Sequence, residues 1–267
     1  MNFEEFIKSY DDENERPLDN IENVPGMCGI LRKIGCVGDS LSSGEFETLG
    51  EDGKKHYNDL FDYSWGQFIA RAAGNTVYNF SRGGMTAKEY INSFAEKMGY
   101  WDKEKMCNAY IIALGVNDIL NAGGEIGTTA DICKEDYTQN TKNFAGYYSA
   151  IIQKLKEISP DAKFFLMTMP REAENGPRER QKIAHAELLY KLSEYFDNTY
   201  VLDLHKYAPM YDEKFKKKFF LNNHMNPLGY LFTANMVMSY IDYIIRHNAE
   251  DFSEIGLIGT GIKNIKQ

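Results

Sequence analysis

Between residues 31 and 247, five short runs rich in β-branched and aromatic residues alternate strictly with five longer helical stretches. That alternation constrains the fold more than any other feature of the chain. The strand candidates are Leu31–Val37, Thr76–Phe80, Ala109–Leu114, Lys163–Met169 and Tyr200–Leu204. Ala109–Leu114 (AYIIAL) is apolar throughout, which suits a strand covered on both faces. Among the helical stretches, Ser64–Ala73 opens on a capping Ser and stops before Gly74. Thr86–Lys97 has Thr86 and Glu89 at capping-box spacing. Asn140–Ile158 puts Phe144, Tyr148, Ile151, Leu155 and Ile158 on one face. Arg178–Phe196 follows. Pro227–Arg246 opens on proline and aligns Leu231, Ala234, Met238, Ile241 and Ile245. Such repeats build a parallel sheet covered by helices and joined by right-handed crossovers. The expected fold class is α/β: one doubly wound domain with a five-stranded parallel sheet in the order 2-1-3-4-5.

The alternation assigns residues 31–247 to this domain. Residues 1–30 then form an acidic N-terminal arm, and residues 248–267 a short tail. The tail's GLIGTGIK has the wrong glycine spacing for a dinucleotide motif and follows no strand. A chain of 267 residues, 43% of them hydrophobic, can bury one substantial core. Thirty-nine acidic residues against thirty basic ones give a net charge of −9, which disfavours nucleic acid and anionic lipid as partners. No apolar run approaches the ~18 residues that a membrane-spanning helix needs. The start, MNFEEFIKSY, lacks the basic and apolar regions of a signal peptide, so a cytoplasmic location is expected. Cys28, Cys36, Cys107 and Cys133 show no CxxC spacing and read as reduced thiols. No metal site and no cofactor are expected.

In an open parallel sheet, ligands bind beyond the carboxyl ends of the strands. The first strand runs into Gly38-Asp39-Ser40-Leu41-Ser42-Ser43-Gly44-Glu45. Ser40 there stands where a nucleophile is presented at the head of a turn. The second strand leads to Gly83 and Gly84, whose backbone N–H groups can face a ligand ahead of a helix. The third leads to Gly115-Val116-Asn117-Asp118, and the Asn117 amide can donate to a developing oxyanion. After the fifth strand and a long loop comes Asn222-Asn223-His224-Met225-Asn226-Pro227, with His224 just before a helix. Singly, each motif is an ordinary turn or cap. Together, at one sheet edge, they supply a nucleophile, oxyanion donors and a base, which are the parts of an acyl-transfer site.

In order and spacing these blocks resemble the SGNH hydrolases, the superfamily of GDSL-type esterases and lipases. The resemblance covers roughly residues 31–247. It places the nucleophile on Ser40 and the general base on His224, followed by Gly229. It places the oxyanion donors on Ser40, Gly84 and Asn117. It implies a flavodoxin-like three-layer α/β/α sandwich, in agreement with the alternation.

One position departs from the family pattern. Three residues before the base the family carries an Asp, and here stands Leu221. Three substitutes present themselves for orienting His224. The Leu221 backbone carbonyl can accept from Nδ1–H, as in dyad members of the family. Asn222 or Asn223 can offer a side-chain oxygen. Asp203, ending the fifth strand, is the carboxylate nearest in sequence. The apolar slot favours the Leu221 carbonyl, leaving Asp203 as a structural residue.

The resemblance implies a serine esterase acting on carboxylic esters of a small molecule or glycan, acyl groups on carbohydrate among them. The same site suits a thioesterase or a lysophospholipase. Leu221 keeps open a decayed, flavodoxin-like binding module. Loops 119–138, 171–177 and 205–223 are placed to shape the pocket. Arg82, Arg171 and the lysines at 214–218 fall near its rim in sequence. The acyl group, the alcohol and the oligomeric state are not legible in the sequence.

Overall fold

The strands of the computed structural model, which describes residues 14–21 and 24–264, are in chain order β1 (Lys33–Gly38), β2 (Glu45–Leu49), β3 (Lys55–Asp59), β4 (Thr76–Ser81), β5 (Ala109–Ala113), β6 (Lys163–Met167), β7 (Thr199–Leu202), β8 (Phe220–Leu221) and β9 (His224–Met225). Five of them form one parallel sheet in the order β4-β1-β5-β6-β7. Numbered within that sheet, this is the expected order 2-1-3-4-5. The helices that matter for the site are α1 (Ser40–Ser43), α2 (Trp65–Ala73), α3 (Phe144–Ile158), α4 (Pro177–Tyr195), α5 (Glu213–Phe219) and α6 (Pro227–His247).

Side chains alternate along each strand and feed two cores. On one face Ile34, Cys36 and Phe165 pack against α2 and α6 through Trp65, Ile69, Val237 and Ile241. On the other, Val37, Ile112 and Phe164 pack against α3 and α4 through Ile151, Leu155, Leu188 and Leu192. The result is the three-layer α/β/α sandwich. Among the described residues no helix is long and apolar enough to cross a membrane.

Two features depart from the sequence reading. Residues 45–59 form an antiparallel hairpin, β2–β3, outside the main sheet. The stretch after Thr86 is interrupted by a π-turn at Tyr90–Phe94, with Tyr90 and Phe94 both buried. The described parts of the arm and tail pack on the domain. Glu15 pairs with Arg246 at 2.7 Å, and the Met27 N–H donates to Asp242 at 2.7 Å. Phe252 and Ile255 are buried, and the Asn108 amide donates to the Ile255 carbonyl at 3.1 Å. The remaining arm and tail positions, 1–13, 22–23 and 265–267, lie outside the described residues.

Candidate active site

β1 delivers the chain to the carboxyl edge of the sheet, where Asp39 caps α1. Its buried carboxylate accepts the Leu41 N–H at 3.1 Å, and the Ser42 and Ser43 N–H groups bond back to its carbonyl at 3.1 and 3.0 Å. Ser40 is thereby the first residue of α1, where a backbone N–H has no intrahelical acceptor. Burial pushes Asp39 up to about 7, against the Leu41 N–H that holds it down.

Gly84 follows β4 with φ of 72°, a conformation that L side chains rarely adopt, in a turn ahead of Thr86. Thr86 caps the next helix through the Glu89 N–H at 3.1 Å. Asn117 follows β5. Its amide nitrogen donates to the Met85 carbonyl at 3.1 Å, and its oxygen accepts from Asn121 at 2.8 Å. One amide hydrogen of Asn117 is left for another acceptor. The neighbouring Asp118 accepts the Ala87 N–H at 3.0 and 3.2 Å. Two adjacent residues of the β5 loop therefore tie it to the β4 loop, fixing Gly84 and Asn117 relative to each other.

His224 opens β9, directly opposite Leu221 of β8 across the two-residue turn Asn222-Asn223. Asn222 takes a left-handed conformation, φ 58°, which Asn tolerates. After His224, Asn226 caps α6 through the Gly229 N–H at 3.0 Å. The hairpin strand β2 lies beside this turn. Period-two alternation puts Glu45 and Glu47 on one face of β2 and Phe46 on the other, where it packs against Tyr230. The two carboxylates flank the imidazole. Glu47 Oε2 is 3.5 Å from Nδ1, and Glu45 Oε1 is 3.0 Å from Nε2. Tyr57 on β3 presents its ring edge-on to the imidazole, with centroids 5.9 Å apart.

Glu47 is itself held firmly. Lys55 Nζ lies 2.7 Å from Oε1, and the Asn223 amide donates to both carboxylate oxygens at 3.1 and 3.3 Å. Burial alone would raise Glu47, but the Lys55 and Asn223 contacts outweigh it and hold the carboxyl below its ordinary range. Glu45 is pushed the other way by burial and by the neighbouring charges of Asp59 and Glu47. Burial lowers His224, opposed by the Glu47 charge.

The residues expected to orient His224 are placed otherwise. The Leu221 side chain is half-exposed, and no described hydrogen bond joins its carbonyl to Nδ1. The Asn222 amide donates to the Glu47 backbone carbonyl at 2.8 Å. Asp203 caps a short turn through the Lys206 N–H at 3.0 Å, and accepts from Thr168 at 3.1 Å and Tyr190 at 2.9 Å. It is a buried structural carboxylate at the end of β7. The carboxylate beside Nδ1 comes instead from an unexpected hairpin far upstream in sequence.

Ser40, Gly84, Asn117, Glu45 and His224 line one cleft of about 500 Å³. Its opposite wall carries Glu172, Arg178, Lys182 and Lys216, drawn from the loop after β6, from α4 and from α5. Arg82 is turned aside, paired with Glu89 at 2.6 Å. Behind the cleft lies a small cavity of about 60 Å³, lined mainly by apolar side chains including Leu41, Trp65, Val116 and Met167. Leu41, Val116, Met169, Pro170 and Tyr211 line both spaces. Among the described residues no group of three His, Cys, Asp or Glu side chains is arranged to hold a metal ion.

Comparison with known proteins agrees with this architecture. Solved structures with the same fold include a Lactobacillus plantarum protein, with a TM-score of 0.58 at 15% identity over 79% of this chain and 97% of that one. A family 3 carbohydrate esterase from Clostridium thermocellum aligns with a TM-score of 0.51 at 15% identity, over 82% of this chain and 98% of that one. A family two carbohydrate esterase from the same organism, solved with cellohexaose, aligns with a TM-score of 0.52 at 16% identity; 82% of this chain covers 65% of that one. No curated protein sequence matches the chain. Residues 36–231 match the GDSL-like Lipase/Acylhydrolase family, a span that runs from β1 into α6 and takes in all four motifs, so the chain belongs to that family.

Proposed function

We propose that the chain is a serine esterase that cleaves short acyl esters, with acylated carbohydrate as the substrate class. The observation that carries this reading is the convergence of Ser40, Gly84, Asn117 and His224 on one cleft from four separate loops. Each supplies a group that acyl transfer requires.

In the first step the Ser40 Oγ–H bond breaks and its proton passes to His224 Nε2. Oγ bonds to the ester carbonyl carbon, and the carbonyl electron pair moves onto oxygen. That oxyanion is met by the N–H groups of Ser40 and Gly84 and by the spare amide hydrogen of Asn117. Collapse of the intermediate breaks the bond to the alcohol, which leaves with the proton from His224. Water then attacks the acyl-enzyme by the same route and releases the acid. Glu45, 3.0 Å from Nε2, stands where a carboxylate favours the imidazolium formed in each half-reaction.

The dimensions support the substrate class. The small apolar cavity of about 60 Å³ behind Leu41 and Val116 suits a short acyl chain. The polar cleft suits a hydroxylated alcohol. Structural neighbours that act on carbohydrate esters favour the same class. The test is a panel of acetylated sugars and p-nitrophenyl esters of rising chain length, with fluorophosphonate labelling. Hydrolysis should favour acetyl over longer chains, and the label should attach to Ser40. A Ser40→Ala variant with undiminished hydrolysis would overturn the assignment.

A further inference from the structure

We propose that Glu47 is the positioning carboxylate of the base, replacing from the β2–β3 hairpin the Asp that position 221 lacks. The inference rests on the serine-esterase reading above and deepens it. A general base of this kind needs its Nε2 lone pair directed at the nucleophile, and therefore needs Nδ1 protonated and held. Glu47 Oε2, 3.5 Å from Nδ1, is the carboxylate on that side, and among the described residues the buried Nδ1 has no hydrogen-bond partner that would compete with it. Catalytic hydrogen bonds are often long in an unliganded enzyme and tighten in the Michaelis complex.

Glu47 is built for such a role. It is 1% exposed, and its oxygens are fixed by Lys55 and by the Asn223 amide. Asn222 clamps its backbone carbonyl at 2.8 Å. Both asparagines belong to the turn that carries His224, so these two side chains register carboxylate and imidazole against each other. Glu45 cannot take this part. It lies on the Nε2 side, 3.0 Å from that nitrogen, where it can hold an Nε2–H but has to yield to the Ser40 hydroxyl when Nε2 acts as base. Leu221 is the residue that keeps the decayed binding-module reading open, and Glu47 removes that reason: the carboxylate has moved, and the base keeps a partner.

The experiment compares the parent chain with Glu47→Gln, Glu47→Asp and the double variant Glu47→Gln/Leu221→Asp. Leu221 stands opposite His224 across the β8–β9 pair, the position from which the family's Asp reaches the ring. Glu47→Gln is expected to lower kcat by about 10²- to 10⁴-fold with KM changed little. Glu47→Asp should retain part of the rate, and the double variant should regain at least about tenfold over Glu47→Gln. Titration of the His224 ring by NMR gives a readout independent of turnover. The imidazole faces Glu45, Glu47, Lys55, Tyr57 and Asp59; removing the Glu47 charge should move its midpoint to lower pH. A Glu47→Gln variant with parental kcat, or with an unmoved His224 titration, overturns the proposal. Fluorophosphonate labelling of Ser40 in every variant separates this outcome from failure of the esterase reading, which would show as no labelling of the parent.

Discussion

The hydroxyl of Tyr230, buried in the first turn of α6, donates to the backbone carbonyl of Glu45 at 2.7 Å. Through this bond the helix that follows His224 holds the strand that carries Glu45 and Glu47. Phe46, between the two carboxylates, packs its ring on Tyr230 with centroids 5.6 Å apart. Tyr230→Phe keeps the ring and removes the bond. The expected cost is about 1 kcal/mol, a fall in Tm of about 2–4 °C. Because the carboxylates shift relative to the imidazole, kcat should fall by up to about tenfold. Thermal melts and steady-state kinetics check both; an unchanged kcat would show that α6 does not set the hairpin's position.

In the proposed mechanism Asn117 is the side-chain donor to the oxyanion. Its nitrogen already gives one hydrogen to Met85, so the second is preoriented rather than free to rotate. Asn117→Ala is expected to reduce kcat by about 10²- to 10³-fold, with KM nearly unchanged, because the lost bond forms only as charge develops. A rise in KM alone would place Asn117 in ground-state binding instead.

The sheet, its strand order and the four loop motifs were legible because each is local. The continuous apolar run of Ala109–Leu114 and the amphipathic face of Asn140–Ile158 are periodic signals, and the motifs lie just beyond strand ends. The partner of His224 was not. Asp203 was near in sequence but is spent on Thr168, Tyr190 and the cap of a short turn. Glu47 is distant in sequence, and only tertiary packing brings it to the ring. Two weaker signals pointed to it. Glu45-Phe46-Glu47 alternates polar and apolar, and Asn222-Asn223 is a tight-turn dipeptide before His224. Reading both as hairpins would have put two carboxylates on one face of a strand and His224 on a turn in need of a neighbour.

Gly83 controls the second carboxylate. A Cβ at this position would lie 1.9 Å from Glu45 Oε2, so any side chain there displaces the Glu45 carboxylate from Nε2. Gly83→Ala is expected to lower kcat/KM by about tenfold, roughly 1.4 kcal/mol. If the effect acts through Glu45, adding Gly83→Ala to Glu45→Gln should bring little further loss, a non-additive pair. Additive losses in the double-mutant cycle would mean that Gly83 serves the oxyanion turn directly.

His185 gives the fold a pH dependence of its own. The ring is fully buried, packs at a tilt against Phe144 and sits 3.2 Å by Nε2 from the Leu114 carbonyl, under the loop that carries Asn117. Burial lowers its pKa from 6.5 to about 4, against the Leu114 carbonyl that raises it. The folded state therefore keeps the ring neutral while the unfolded chain protonates it first. Its contribution is complete above about pH 6.5 and is lost as the pH falls toward 4, in total roughly 3 kcal/mol. Asp39 and Asp118, raised to about 7 and about 6 by burial, act in the opposite sense over part of the same interval, because the fold takes up their protons first. The measurement is therefore a difference. His185→Gln keeps a donor for Leu114 and does not titrate, so denaturant unfolding of parent and variant should converge, or cross, between pH 7 and 4. Parallel stability curves across that range would show that His185 is as readily protonated in the fold as outside it.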